Sequence, residues 1–139
     1  MMLALKFGFF VALCLTLLAL LLPAADVLAA KMWAASWLPG AAWLDQAEFA
    51  AHGDKWTHAI LFMALGGLAM GAWRSRSQRL RLAWSLLGLA VVTEVLQAWV
   101  PGRSPSLADA VADTLGLAVG AGLGWWVFSN RVLSERGPA

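Results

Sequence analysis

The sequence predicts an all-α polytopic membrane protein, a single domain built as a bundle of four transmembrane helices with both termini cytoplasmic. Three observations predict it. The chain of 139 residues is 61% hydrophobic and only 13% charged, and its mean hydropathy of +0.72 leaves too little polar sequence to coat a water-soluble globule. Its apolar residues fall into four runs near the ~20 residues that a bilayer core demands of a helix. Its arginines gather in the connections that one membrane face would receive.

The first span, about residues 7–25, holds nothing more polar than Cys14 and Thr16. Lys6 before it and the small residues Ala24, Ala29 and Ala30 at and beyond its end also fit a signal peptide, but the apolar run is long for one, and retention is expected. The second span, about 56–73, has His58 as its titratable group. The third, about 82–100, carries Glu94, and the fourth, about 107–128, opens with Asp109 and Asp113. Cys14 in mid-membrane cannot form an intrachain disulfide, so cysteine says nothing about redox compartment.

Lysine and arginine in short flanks are retained on the cytoplasmic side during insertion. Arg74, Arg76, Arg79 and Arg81 lie between the second and third spans, and the tail adds Arg131 and Arg136 against Glu135. Both segments are therefore expected inside, with the N-terminus. The outer face receives the segment 26–55, where Asp26, Asp45, Glu48 and Asp54 outnumber Lys31 and Lys55, and the loop 101–106 with Arg103. Trp33, Trp37, Trp43, Trp56 and Trp99 then fall at the outer boundary and Trp73, Trp84, Trp125 and Trp126 at the inner one, as amphipathic rings prefer. The basic pI near 9.2 does not imply a nucleic-acid partner, because most of the positive charge sits where insertion needs it.

An ionisable side chain at the centre of a membrane helix costs roughly 2.5–3.5 kcal/mol on insertion scales, so each one calls for a partner or a role. Here they share one level. Asp54 and His58 stand four apart at the start of the second span, Glu94 and Gln97 three apart near the end of the third, and Asp109 and Asp113 four apart at the start of the fourth. Each spacing puts its pair on one helix face. An antiparallel bundle with short connections is expected to bring His58, Glu94, Gln97, Arg103, Asp109 and Asp113 around one outer cavity. The second and fourth spans both begin on that side, so their positive dipole ends point toward Lys55 and Arg103, a place that suits an anion. The same charges admit a second reading, in which the carboxylates neutralise the cations and form a salt-bridged plug.

Residue by residue, His58 is either a packing histidine or an acid–base group, and it is the obvious proton carrier of the set. Glu94 is the deepest acid. Asp109 is expected mainly as the cap of the fourth helix, Gln97 as an interhelical hydrogen-bonding residue worth about 0.6 kcal/mol, and Lys55 as a side chain able to snorkel. Gly116, Gly120 and Gly124 continue the Asp109 and Asp113 face and let a neighbouring helix, or a second copy in a homo-oligomer, approach closely. Glycine-rich nucleotide loops, a histidine pair of metal-binding spacing and a nucleophile elbow are all missing. A His, Asp and Glu set is compatible with a divalent ion, but His58 and the loop residue His52 are too few for a histidine-rich zinc site. No metal and no cofactor is expected.

Asp-Lys-Trp-Thr-His at 54–58 opening an apolar helix, then Glu94 and Gln97, Pro-Gly-Arg at 101–103, Asp109 and Gly116, in this order and spacing, resemble the VanZ-like family over roughly residues 54–124. That family is named for a protein associated with low-level resistance to teicoplanin, a glycopeptide that acts on peptidoglycan precursors outside the membrane. The resemblance implies a bacterial multi-pass protein of the plasma (inner) membrane, a link to the cell envelope and to glycopeptide resistance, and motif residues at Asp54, Lys55, His58, Glu94, Gln97, Arg103, Asp109 and Asp113. The family pattern usually has Asn where this chain has Asp113, so an acid replaces an amide.

Three function classes follow. A binding module would hold the anionic headgroup of a membrane lipid or lipid-linked precursor with Asp54, Lys55, Gln97, Arg103 and Asp113, its cations on the phosphate or carboxylate. A membrane-embedded hydrolase or transferase would use His58 as acid or base with Glu94 or Asp109 as partner. Ser104 and Ser106 stand in the outer loop in no triad arrangement, so no nucleophile is identified. A structural partner in an envelope complex would keep the cluster as interhelical glue. Transport is less attractive, because four short helices leave little room for a pathway.

Overall fold

A computed structural model of the chain describes residues 2–37 and 46–134, with side chains over 2–37 and 53–129. Its elements are five helices: α1 (Met2–Leu21), α2 (Ala24–Ser36), α3 (Gln46–Ala72), α4 (Arg76–Gln97) and α5 (Leu107–Ser134). The described residues contain no strand. Trp43, Asp45, Glu135 and Arg136, which the sequence assigns to the two membrane faces, lie outside the described residues.

The helix ends correct the sequence expectation in three places. The first span does not run to Ala25, because Pro23 lacks an N–H and its ring clashes with the carbonyl four residues back. α1 therefore stops at Leu21. Pro23, at φ −51° and ψ 141°, turns the chain into α2, whose first bonds run from the Asp26 and Val27 amides to the Pro23 carbonyl. With 13 residues α2 is too short to cross a bilayer. The second span begins at Gln46, ten residues before Trp56, so His52 is a helix residue and not a loop residue. Gln, Ala and Glu at 46–48 are good helix formers without being apolar. The third span likewise gains Arg76, Arg79 and Arg81 in its first turns and ends at Gln97, ahead of the turn that carries Gly102 at φ +74°.

Among the described residues three helices are long and apolar enough to cross a membrane: α1, α4 and the part of α5 from Leu107 to Ser129. α3 is not one of them. Its middle turns hold Asp54, Lys55, Thr57 and His58, and three glycines dilute the rest. It has less need of apolar character because it is the central helix, packed against α1, α4 and α5. It supplies Phe62, Leu65, Ala69 and Met70 to a core completed by Phe9 and Leu20 of α1, Leu86 and Ala90 of α4, and Leu117 of α5. The outer helices instead expose Leu3, Phe7, Leu15, Val91, Val95, Leu115, Val119 and Leu123. A surface this apolar matches lipid rather than water.

α3 and α5 meet backbone to backbone. A Cβ at Gly116 would fall on the Ala59 carbonyl, one at Gly120 on the Met63 carbonyl, and one at Gly124 would come within 2.7 Å of the Gly67 oxygen. The glycine stripe therefore packs within the chain, where close approach compensates for the missing hydrophobic drive between helices in lipid.

One end of the bundle is basic and aromatic: Lys6 lies 5.7 Å from the Trp73 ring centroid, and Arg79 lies 5.2 Å from that of Trp125 and donates from Nε to the Trp73 carbonyl at 2.6 Å. The end of α1, the start of α3, the end of α4 and the start of α5 converge at the opposite end. The buried polar residues collect there.

Candidate functional site

The middle of α3 runs beside the start of α5, so His58 meets Asp113: His58 Nδ1 is 3.0 Å from Asp113 Oδ1. The end of α4 lowers Glu94 onto the same imidazole, with Oε1 at 3.8 Å from Nδ1. The three residues are 1%, 0% and 6% exposed. Each offers one ligand-type atom, and these atoms lie within 4.8 Å of one another.

Glu94 is oriented from behind. Its Oε2 accepts the Ser106 backbone N–H at 2.7 Å, so the residue just before α5 matters here through its amide. Asp109 stands in the first turn of α5, where an acid meets the positive helix end. The expected His58–Asp109 partnership is not made: the acids within 4 Å of His58 are Glu94 and Asp113. Nor is Asp109 the residue that opens the helix, since the Ser106 carbonyl takes the Asp109 and Ala110 amides. Asp109 Oδ1 is buried and without a partner among the described residues.

The cations are placed differently from expectation. Arg103 donates from Nη2 to the Ala19 carbonyl at 2.7 Å and from Nε to the Leu22 carbonyl at 3.4 Å, and Nη1 lies 3.8 Å from Asp54 Oδ2. It thereby satisfies carbonyls that the end of α1 leaves open. Its guanidinium is drawn away from an external anion. Lys31 of α2, which sequence reasoning left out of the site, holds Asp54 Oδ1 at 3.0 Å. No spacing rule could have signalled a partner 23 residues away across a helix break. Gln97 donates from Nε2 to the Leu20 carbonyl at 3.0 Å and so ties α4 to α1. Thr93, buried beside Glu94 in sequence, is satisfied by the Leu89 and Ala90 carbonyls of its own helix.

Lys55 is set apart from this network. It sits at the head of an apolar groove of about 470 Å³ between α3 and α5, lined by Trp56, Ala59, Ile60, Met63, Ala112, Leu115, Gly116 and Val119. The small residues Ala59, Ala112 and Gly116 make its depth possible, and the exposed Trp56, Ile60, Leu115 and Val119 form its walls. From Lys55 to Met63 the groove runs roughly 12 Å at the rise of a helix, close to the ~15 Å of one leaflet's hydrocarbon.

The site thus has two parts: a closed cluster of one histidine and carboxylates, and an exposed apolar groove with a single cation at its mouth. No curated protein and no solved structure matches the chain. The VanZ/LLP1 family matches over residues 9–129, a range that takes in most of α1 and all of α2 as well as every residue of the cluster. The chain is a member of the VanZ/LLP1 family.

Proposed function

We propose that this membrane protein lies in the bacterial plasma membrane with both termini cytoplasmic, and that it binds an anionic lipid or lipid-linked precursor at its outer end. The acyl chain occupies the groove between α3 and α5, and the phosphate meets Lys55. The observation that carries this reading is the groove itself: apolar walls about one leaflet deep, closed at one end by an exposed lysine. Among the described residues Lys55 makes no ion pair, whereas Lys31 and Arg103 both turn to Asp54.

Native mass spectrometry of the detergent-purified protein with added phosphatidylglycerol tests it. A lysine near an anionic surface contributes about 1 kcal/mol, so Lys55→Ala is expected to weaken retention about fivefold. Ala112→Phe, which fills the groove, should abolish it in a folded protein. Equal lipid retention by wild type and both variants would remove the proposal.

A second reading, a hydrolase or transferase acting on such a lipid, is favoured by the buried His58–Asp113 pair, in which the carboxylate orients an imidazole for proton transfer. Absence of turnover on phosphatidylglycerol and on a polyprenyl phosphate would dismiss it. A link to teicoplanin resistance rests on the family alone, and deletion of the gene with measurement of the inhibitory concentration addresses it.

A further inference from the structure

The buried cluster is incompletely satisfied. An ionised carboxylate only accepts hydrogen bonds, and here Glu94 and Asp113 face one imidazole with the Ser106 N–H as the other donor in reach. Glu94 Oε1, Asp113 Oδ2 and His58 Nε2 have no hydrogen-bond partner among the described residues, although all three side chains are more than nine-tenths buried. The nearest guanidinium, that of Arg103, is turned to the carbonyls of α1 and to Asp54. Two carboxylates and a neutral imidazole leave two negative charges inside the bundle, where uncompensated charge is costly.

We propose that His58, Glu94 and Asp113 form a site for one divalent transition-metal ion, held between α3, α4 and α5. One M²⁺ offsets the charges of Glu94 and Asp113 while His58 stays neutral; Asp109, whose Oδ1 is also buried without a partner among the described residues, stays outside the ligand set. The spacing suits it as well. Ligands at about 2.0–2.1 Å from a common ion lie roughly 3–4 Å from one another; His58 Nδ1 is 3.0 Å from Asp113 Oδ1 and 3.8 Å from Glu94 Oε1, and the three donor atoms all lie within 4.8 Å of one another. One nitrogen and two carboxylate oxygens form a donor set shared by zinc, manganese and iron. The Ser106 amide on Glu94 Oε2 orients that carboxylate from outside the ligand set, a recurrent support of metal ligands. Two histidines are too few for a histidine-rich zinc site, but this mixed set needs only one. Three protein ligands leave the ion with open positions, as in catalytic rather than closed structural zinc sites. The proposal is independent of the lipid groove, since Lys55 and Ala112 contribute nothing to it.

The test uses the full chain, purified in detergent with a histidine-free tag, stripped with EDTA and titrated with Zn²⁺ and, for its visible absorption, Co²⁺. Wild type and the surface control Asp26→Asn are expected to bind one ion per chain, with a Co²⁺ spectrum of nitrogen and oxygen ligation. Glu94→Gln and Asp113→Asn should each bind at least tenfold more weakly. A folded wild type that takes up neither ion overturns the proposal, and so does a Glu94→Gln/Asp113→Asn double variant that binds as tightly as wild type. If the variants do not fold, the wild-type titration decides: saturation at one equivalent with a rise in thermal stability supports the site, and no saturation refutes it.

Discussion

His58 of α3 and Asp113 of α5 hold each other at 3.0 Å in a space closed to solvent, although 55 residues separate them in the chain. Around that contact the middle of α3 and the start of α5 are held together, with Glu94 of α4 closing the third side. Removing one member leaves a buried polar partner unsatisfied, which costs about 1–3 kcal/mol. His58→Ala and Asp113→Ala should each lower stability by that amount in a reversible detergent-unfolding titration. Because the residues touch, their double variant should fall short of the sum. Strict additivity would mean that the contact contributes nothing.

The glycines of α5 should divide sharply by position. A Cβ at Gly120 collides with the Met63 carbonyl, so Gly120→Ala must push α3 and α5 apart, at a cost of about 1–3 kcal/mol. Two residues on, Gly122 has open space around it, and Gly122→Ala should be neutral or stabilise by about 0.5–1 kcal/mol through helix propensity. Melting temperatures in one detergent compare the two directly.

Arg103 fastens the end of α1. Arg103→Ala should leave the Ala19 and Leu22 carbonyls open and speed hydrogen exchange in the last turn of α1 and at the α1–α2 corner, without changing exchange in the Gly120 region of α5. Arg103→Lys should not restore protection, because an ammonium group lacks the planar fork that reaches both carbonyls. Unchanged exchange in Arg103→Ala would show that the guanidinium is dispensable for the fold.

The proposed orientation is checked by cysteine labelling in intact cells, after replacement of the native Cys14 by serine. Ser104→Cys, in the exposed turn after α4, should react with a membrane-impermeant maleimide from outside. Ser77→Cys, exposed near the start of α4, should react only after the cells are opened. The reverse pattern would invert the topology.

Much of this was legible in the chain. Composition and the apolar runs determine an all-helical membrane protein, because a bilayer admits few other ways to satisfy a backbone. Helical spacing and depth put His58, Glu94 and Asp113 at one level, opposite the arginine-rich end, since rise per residue is the same in every helix. The glycine spacing likewise marks a close helix contact, and Gly116 and Gly120 make it. Helix ends outside the bilayer were less legible: the turns at Gln46 and at Arg76 are polar, and helix formation there follows propensity and not apolarity.

The partners had to come from the tertiary structure. Asp109 and Asp113 share one helix and one local face, yet it is Asp113 that the packing of α5 on α3 brings to the imidazole. Arg103 reads as a free cation until the end of α1, broken at Pro23, is seen to present its carbonyls beside it. Lys31 enters only because α2 is a helix that carries its ammonium group to Asp54. Sequence thus determines which side chains reach the same depth, a property of each helix alone. Which of them touch depends on how helices rotate and pack around one another, and that is settled by side-chain and backbone contacts between segments far apart in the chain.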